Sequence, residues 1–204
     1  NTATNGSIED GTTGWGFYPN ADNVETIATG DTLMELTDST AIVFAAYDSS
    51  TALVMWGGGV GTENSAYFEY TGEACPAVGS QFYASVQAIS GDPEYASAAD
   101  NGASLVLFAK YFADGWSWIG MDSDTLEYTS DDSTLGSWEQ LDIFCTVPAG
   151  VTILQVGVMF VQPAAADTGY FFVDDLTMDP VVGNGVADIT ADDFTEVLGF
   201  GGNS

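Results

Sequence analysis

The chain has no histidine, one basic side chain and two cysteines among its 204 residues. Without histidine no Ser-His-Asp or Cys-His catalytic arrangement can be built, and neither a P-loop nor zinc-ligand spacing occurs in the sequence. A two-carboxylate glycosidase mechanism survives on residue types alone, yet no pair of acids is set apart from the rest. The expectation is a protein that is not an enzyme.

Positive charge is the second scarcity. Thirty acidic residues face the single Lys110, for a formal net charge of −29. Such a chain repels nucleic acid and anionic membrane surfaces at any range that salt leaves unscreened. It also repels itself, so compaction and self-association call for cations that screen or bridge the acids. Long hydrophobic runs are missing as well: no stretch reaches the ~18–20 apolar residues of a membrane-spanning helix. The sequence starts at Asn1 with neither methionine nor an apolar leader, as expected of a processed chain destined for an extracellular or cell-surface location. In that setting Cys75 and Cys145 predict one disulfide. It would close a loop of about seventy residues, a constraint of about 4 kcal/mol in the chain-entropy account.

What is present in quantity is apolar material, 46 % of residues, enough for the core of one domain of this length. Runs rich in β-branched and aromatic residues at 40–47, 52–56, 66–71, 81–89, 104–112, 138–147, 151–161 and 169–178 are separated by Gly, Asp, Ser and Pro. Alternation in 82–89, and in 151–160 with a change of phase near Leu154, predicts strands with one buried and one wet face. The expected fold class is all-β over residues 1–179. Within 170–178 an almost wholly apolar strand is interrupted by Asp174 and Asp175, a pair that costs several kcal/mol to bury without a positive partner. With Lys110 the only basic residue, a structural calcium ion is the expected partner, since carboxylates and backbone carbonyls suit a hard cation.

Residues 180–204 form a separate tail. Thr190 as N-cap, acids in the first turn and Gly199 beyond the end predict a two-turn helix, with the segment otherwise extended. Val186, Ile189, Phe194, Val197, Leu198 and Phe200 are its apolar positions. A helix this short does not hold alone in water, so the tail is expected to dock, either on its own domain or on another copy. Docking on a neighbour that does not close into a ring would propagate a filament of identical subunits, the leading expectation for function.

Four segments together resemble the jelly-roll carbohydrate-binding modules of the family-four, family-nine and family-twenty-two group, a galactose-binding-like fold. Asn5-Gly6-Ser7-Ile8-Glu9-Asp10-Gly11 with Trp15 is similar to their opening N-G-x-F-E…W. Pro76 through Ser85 is similar to P-G-x-x-Y-x-x-S, and Trp138 through Gly150 to W-x-x-L…F-x-V-P-x-G. Tyr170 through Met178 is similar to the closing Y-F-x-D-D-x-x-L. The resemblance implies a two-sheet antiparallel jelly-roll sandwich in which calcium ties Glu9 to Asp174, with Asp175 a further candidate ligand. It also implies glycan binding on exposed aromatic faces, for which Trp116 and Trp118 are candidates, with Tyr111 or Trp56 nearby in the pattern. Trp15 and Trp138 match core positions. Glycan binding in place of self-assembly is the second expectation for function. Asn5-Gly6-Ser7 is also a glycosylation sequon, placing a candidate modification at Asn5.

Overall fold

Side-chain alternation along β8 (Ser104–Ala113) shows how the molecule is layered. Leu105, Leu107, Ala109 and Tyr111 point into the main core, whereas Val106, Phe108, Lys110 and Phe112 point the other way. A strand of this kind belongs to the middle of a sheet whose inner face is packed and whose outer face carries something else. The computed structural model describes residues 6–19, 24–35, 41–47, 50–56, 63–90, 104–127, 137–161 and 170–181.

The first antiparallel sheet joins β1 (Gly16–Tyr18), β6 (Glu63–Thr71), β11 (Ile153–Val161), β8 and β9 (Ser117–Glu127), in that spatial order. The second joins β10 (Glu139–Thr146), β7 (Gln81–Ser90), β12 (Tyr170–Pro180), β5 (Thr51–Trp56) and β2 (Val24–Ala28). A two-stranded ribbon pairs β3 (Thr32–Glu35) with β4 (Ala41–Val43), and the described residues contain no helix beyond two 3-10 turns, Gly72–Ala74 and Asp114–Trp116. The architecture is a jelly-roll sandwich. Leu107, Tyr111, Leu154, Val158 and Phe160 of one sheet meet Phe82, Val86, Leu141, Phe171 and Val173 of the other in one continuous core, with Trp15 packed 4.5 Å from Phe68. A smaller cluster lies on the outer face of the second sheet, where Phe44 and Trp138 cover Ile27, Ile89 and Phe172.

The two chain segments singled out as opening and closing motifs meet. The Leu176 amide donates to the Gly6 carbonyl at 2.9 Å, and a Cβ on Gly6 would collide with the Leu176 carbonyl oxygen. Only glycine permits that approach. The meeting point is a bulge in β12 between Asp174 and Thr177, with Asp175 in the left-handed region at φ 50. The doubled Asp of the closing motif is therefore a bulge: Asp174 lies on the outer face of the sheet with Phe172, buried under the Tyr47 backbone, and the register resumes at Thr177.

Four strands went unrecognised in the sequence: β1, β2, β3 and β9. In β9 the run Gly120-Met-Asp-Ser-Asp reads as turn chemistry, but the strand is an edge with Met121, Ser123 and Thr125 exposed. The expected disulfide is absent. Cys75 and Cys145 are both free thiols: Cys145 is buried on the inner face of β10, and Cys75 caps the Gly72–Ala74 turn at the core margin. The tail residues Val186, Ile189, Phe194, Val197, Leu198 and Phe200, and Asn5, lie outside the described residues.

Candidate functional site

The outward face of the first sheet is a grid that follows from strand register. One row runs Glu69, Gln155, Lys110, Met121 across β6, β11, β8 and β9. Its neighbour on one side is Thr71, Ile153, Phe112, Trp118. On the other side come Tyr67, Gly157, Phe108, Ser123, and then Tyr18, Ser65, Met159, Val106, Thr125 with β1 added. Nine of these side chains, together with the turn residue Trp116, enclose a groove of about 680 Å³.

Two devices shape it. Gly157 sits mid-strand where a Cβ would strike the Ala66 carbonyl and Tyr67, and a Cβ on Gly16 would lie 2.8 Å from the Tyr67 ring. These two glycines leave the floor open around Tyr67. The second device is the bulge between Tyr111 and Phe112, which with the Asp114–Trp116 turn lifts two indoles onto one wall. Trp116 and Trp118 flank Phe112 with ring centroids 5.4 and 5.5 Å away, both edge-on. They remain 52 % and 57 % exposed, so large flat faces stay open to solvent.

The polar groups are sparse and spaced. Gln155 Nε2 donates to Glu69 Oε2 at 3.2 Å. Burial first, and then the Glu69 charge, push the Tyr67 phenol up, against a smaller opposing effect of its hydrogen bond with Gln155, so Tyr67 stays neutral and able to donate. Ser65 is 2 % exposed, and its hydroxyl has no hydrogen-bond partner among the described residues although the residue lines the groove. A buried hydroxyl without a partner costs roughly 1–3 kcal/mol, a cost that a ligand hydroxyl placed there would remove.

Of the aromatics expected from the sequence, Trp116 and Trp118 line the groove and Tyr111 does not. Tyr111 lies on the odd, inward face of β8, is 2 % exposed, and its hydroxyl donates to Asp122 Oδ2 at 2.7 Å. Burial, and then this bond, push its phenol well up. Trp56 stands on β5 of the opposite sheet. Trp15 is a core residue, as expected, and Trp138 is half-buried over Phe44 with its indole N–H on the Ala45 carbonyl at 3.3 Å. Tyr18, Ser65, Tyr67, Phe112, Gln155 and Met159 were not foreseen, because they converge only through strand order. Two signals were there to be found: the lone lysine inside an aromatic strand, and Gly157 inside an apolar one.

At the closing bulge Asp174 is fully buried, with Oδ2 accepting the Tyr47 amide at 2.9 Å and Oδ1 the Asp175 amide at 2.7 Å. Glu9 accepts the amides of Ser50 and Thr51 at 3.0 and 2.9 Å and the Ser50 hydroxyl at 2.7 Å. Both carboxylates thus grip the same stretch of chain, at Tyr47 and at Ser50–Thr51. Among the described residues no group of three or more metal-ligating side chains converges. Backbone amides and one hydroxyl donate to both carboxylates, while carboxylate oxygen itself is the donor type a hard cation accepts.

No family model matches the sequence, and no curated protein matches it. Solved structures do share the fold. The CBM22-2 xylan-binding domain from Paenibacillus barcinonensis Xyn10C is 16 % identical, with 86 % of this chain covering 97 % of that one at a TM-score of 0.55. A family 16 carbohydrate-binding module is 14 % identical over 87 % of this chain and 99 % of that one, at 0.51. The enzymatically active domain of bacteriophage CBA120 tailspike protein 4 is 13 % identical at 0.52; 89 % of this chain spans about a fifth of that one, 21 %. The fold is that of the β-sandwich carbohydrate-binding modules of families 16 and 22.

Proposed function

We propose that the chain is a non-catalytic module that binds a polysaccharide in the groove on its first sheet. The observation that carries this reading is the pairing, in one groove, of two exposed indoles with the buried, unpartnered Ser65 hydroxyl. A pyranose offers axial C–H bonds to an aromatic face and hydroxyls around its rim, so it needs broad apolar platforms and a few fixed polar groups. Trp116, Trp118 and Phe112 supply the platforms, while Tyr67, Gln155 and Ser65 supply donors and acceptors. An extracellular setting fits such a ligand and a surface of this acidity.

The fold neighbours support the same reading, since several are named as xylan-binding domains. Self-assembly into a filament rests on the tail alone, and no contact among the described residues favours it over glycan binding. Calcium, held by Glu9 and Asp174 against the 47–51 stretch, would serve the fold and not the groove. Retention of the purified chain on insoluble xylan, cellulose and β-glucan tests the proposal, with a Trp116→Ala/Trp118→Ala variant as control. Retention by at least one polysaccharide, lost in the variant, is the expected result. No retention of the parent on any of them overturns it.

A further inference from the structure

Ser65 lies at the far end of the groove from the two indoles. Its row and the row of Trp118, marked on β8 by Val106 and Phe112, are about 20 Å apart along the strands. A sugar stacked on Trp116 or Trp118 is therefore not the sugar that meets Ser65, and a ligand filling the groove is a chain of several sugars. Resting on the glycan-binding reading, we propose that this ligand is a hexose polymer, and that Ser65 selects it over a pentose polymer by bonding the exocyclic hydroxymethyl group of one sugar.

What flanks Ser65 decides which hydroxyl fits. Tyr18 stands directly opposite it on β1 and Met159 on β11, and Tyr67 follows on the same face of β6. The buried Ser65 hydroxyl is thus an unpartnered polar atom among two phenol rings and a thioether. Tyr18 is 62 % exposed, so it offers an open ring for a sugar beside that spot. The ring hydroxyls of a pyranose sit directly on a wide, rigid ring, which a buried atom does not admit. A hydroxymethyl carries its oxygen one rotatable bond further out on a slim methylene, and the unbranched Met159 side chain adapts to it. The methylene is apolar where it passes Met159 and Tyr67. At its tip, two hydroxyls that each donate and accept satisfy one another.

A pentose chain has nothing to place there. β-1,4-Xylan and β-1,4-glucan share their linkage and their ring hydroxyls, and differ by the hydroxymethyl on each sugar. Xylan lying in the groove leaves the Ser65 hydroxyl without a partner, whereas a hexose chain removes that cost, and a site whose polar group is paired only by the right ligand rejects the analogue that lacks the hydroxyl. The fold neighbours named as xylan-binding domains are 16 % identical to this chain, so their sugar does not carry over to this groove.

Calorimetric titration of the full chain with cellohexaose, its 6-deoxy analogue and xylohexaose tests this. Cellohexaose is expected to bind about tenfold tighter than either of the others. Ser65→Ala, with unchanged circular dichroism, should bring cellohexaose close to the other two and leave their affinities as they were. Equal or tighter binding of either analogue by the parent, or a preference that survives Ser65→Ala, overturns the proposal and leaves glycan binding standing. No binding of any of the three overturns it as well; the glycan reading falls with it only if the chain is retained on none of insoluble xylan, cellulose and β-glucan.

Discussion

Trp118 stands directly opposite Phe112 across the β8–β9 pair, its ring centroid 5.5 Å from the phenyl ring at 73°, and Trp116 meets the same ring at 5.4 Å. Phe112 thus props two indoles that are each more than half exposed. Trp116→Ala and Trp118→Ala should each weaken polysaccharide binding by about tenfold or more. Because the lost contacts are mostly with solvent and one ring, the unfolding free energy should change by no more than about 1 kcal/mol. Affinity electrophoresis and urea denaturation separate the two effects. A large loss of stability with unchanged affinity would assign these indoles to the fold instead of the ligand.

Gly6 tests the junction between the chain's opening and closing segments. Any Cβ there meets the Leu176 carbonyl, and the Leu176 amide is already bonded to the Gly6 carbonyl, so backbone faces backbone with no side chain to yield. Gly6→Ala should destabilise the protein by about 1–3 kcal/mol, with no direct effect on the groove. A urea midpoint equal to the parent's would contradict the close approach.

The same junction shows what the sequence could and could not say. The opening and closing motifs were legible because each encodes a local requirement: glycine for the approach at residue 6, and a buried acid beside a left-handed residue at 174–175. The sandwich followed from strand spacing and alternation. The groove was only half legible. The family resemblance picked out Trp116 and Trp118, but whether Tyr111 or Phe112 shares their face depends on the bulge between those two residues, which pairing creates and no local pattern announces. Tyr18, Ser65, Gln155 and Lys110 come from four strands and meet only through a strand order that sequence does not reveal. Cys75 and Cys145 misled for a related reason. An even count in an exported chain favours pairing, but the fold places one in the core of β10 and the other at a turn.

Glu9 and Asp174 decide the calcium question. If the ion is held there, removing it with excess chelator should lower the thermal midpoint, and calcium at about 100-fold over its Kd should stabilise the chain by about 2.7 kcal/mol. Glu9→Gln and Asp174→Asn should each abolish the response to calcium, with Asp174→Asn costing more because Asp174 is fully buried. Scanning calorimetry of protein shown metal-free by elemental analysis provides the measurement. A midpoint indifferent to chelator and calcium alike would leave the backbone amides of Tyr47, Ser50 and Thr51 as the positive partners of these acids.

Cys145 should make the fold sensitive to alkali. Burial pushes its thiol from the ordinary 9.0 up to about 12, with the charge of Asp122 adding to the effect and the Tyr111 hydroxyl opposing it. Between those values the folded chain holds a proton that the unfolded chain has released. Stability is therefore full below pH 9.0 and falls as pH rises toward about 12. Tyr111, also pushed up by burial and by its bond to Asp122, adds to the fall once the unfolded phenol ionises above its ordinary 10.0. Cys145→Ala should lower stability at neutral pH by leaving a cavity, yet flatten the decline above pH 9.0, because the ionisation is gone. Urea midpoints measured across that range give the slope. A parent curve no steeper than that of Cys145→Ala would mean that the thiol ionises in the folded protein as easily as in the unfolded chain.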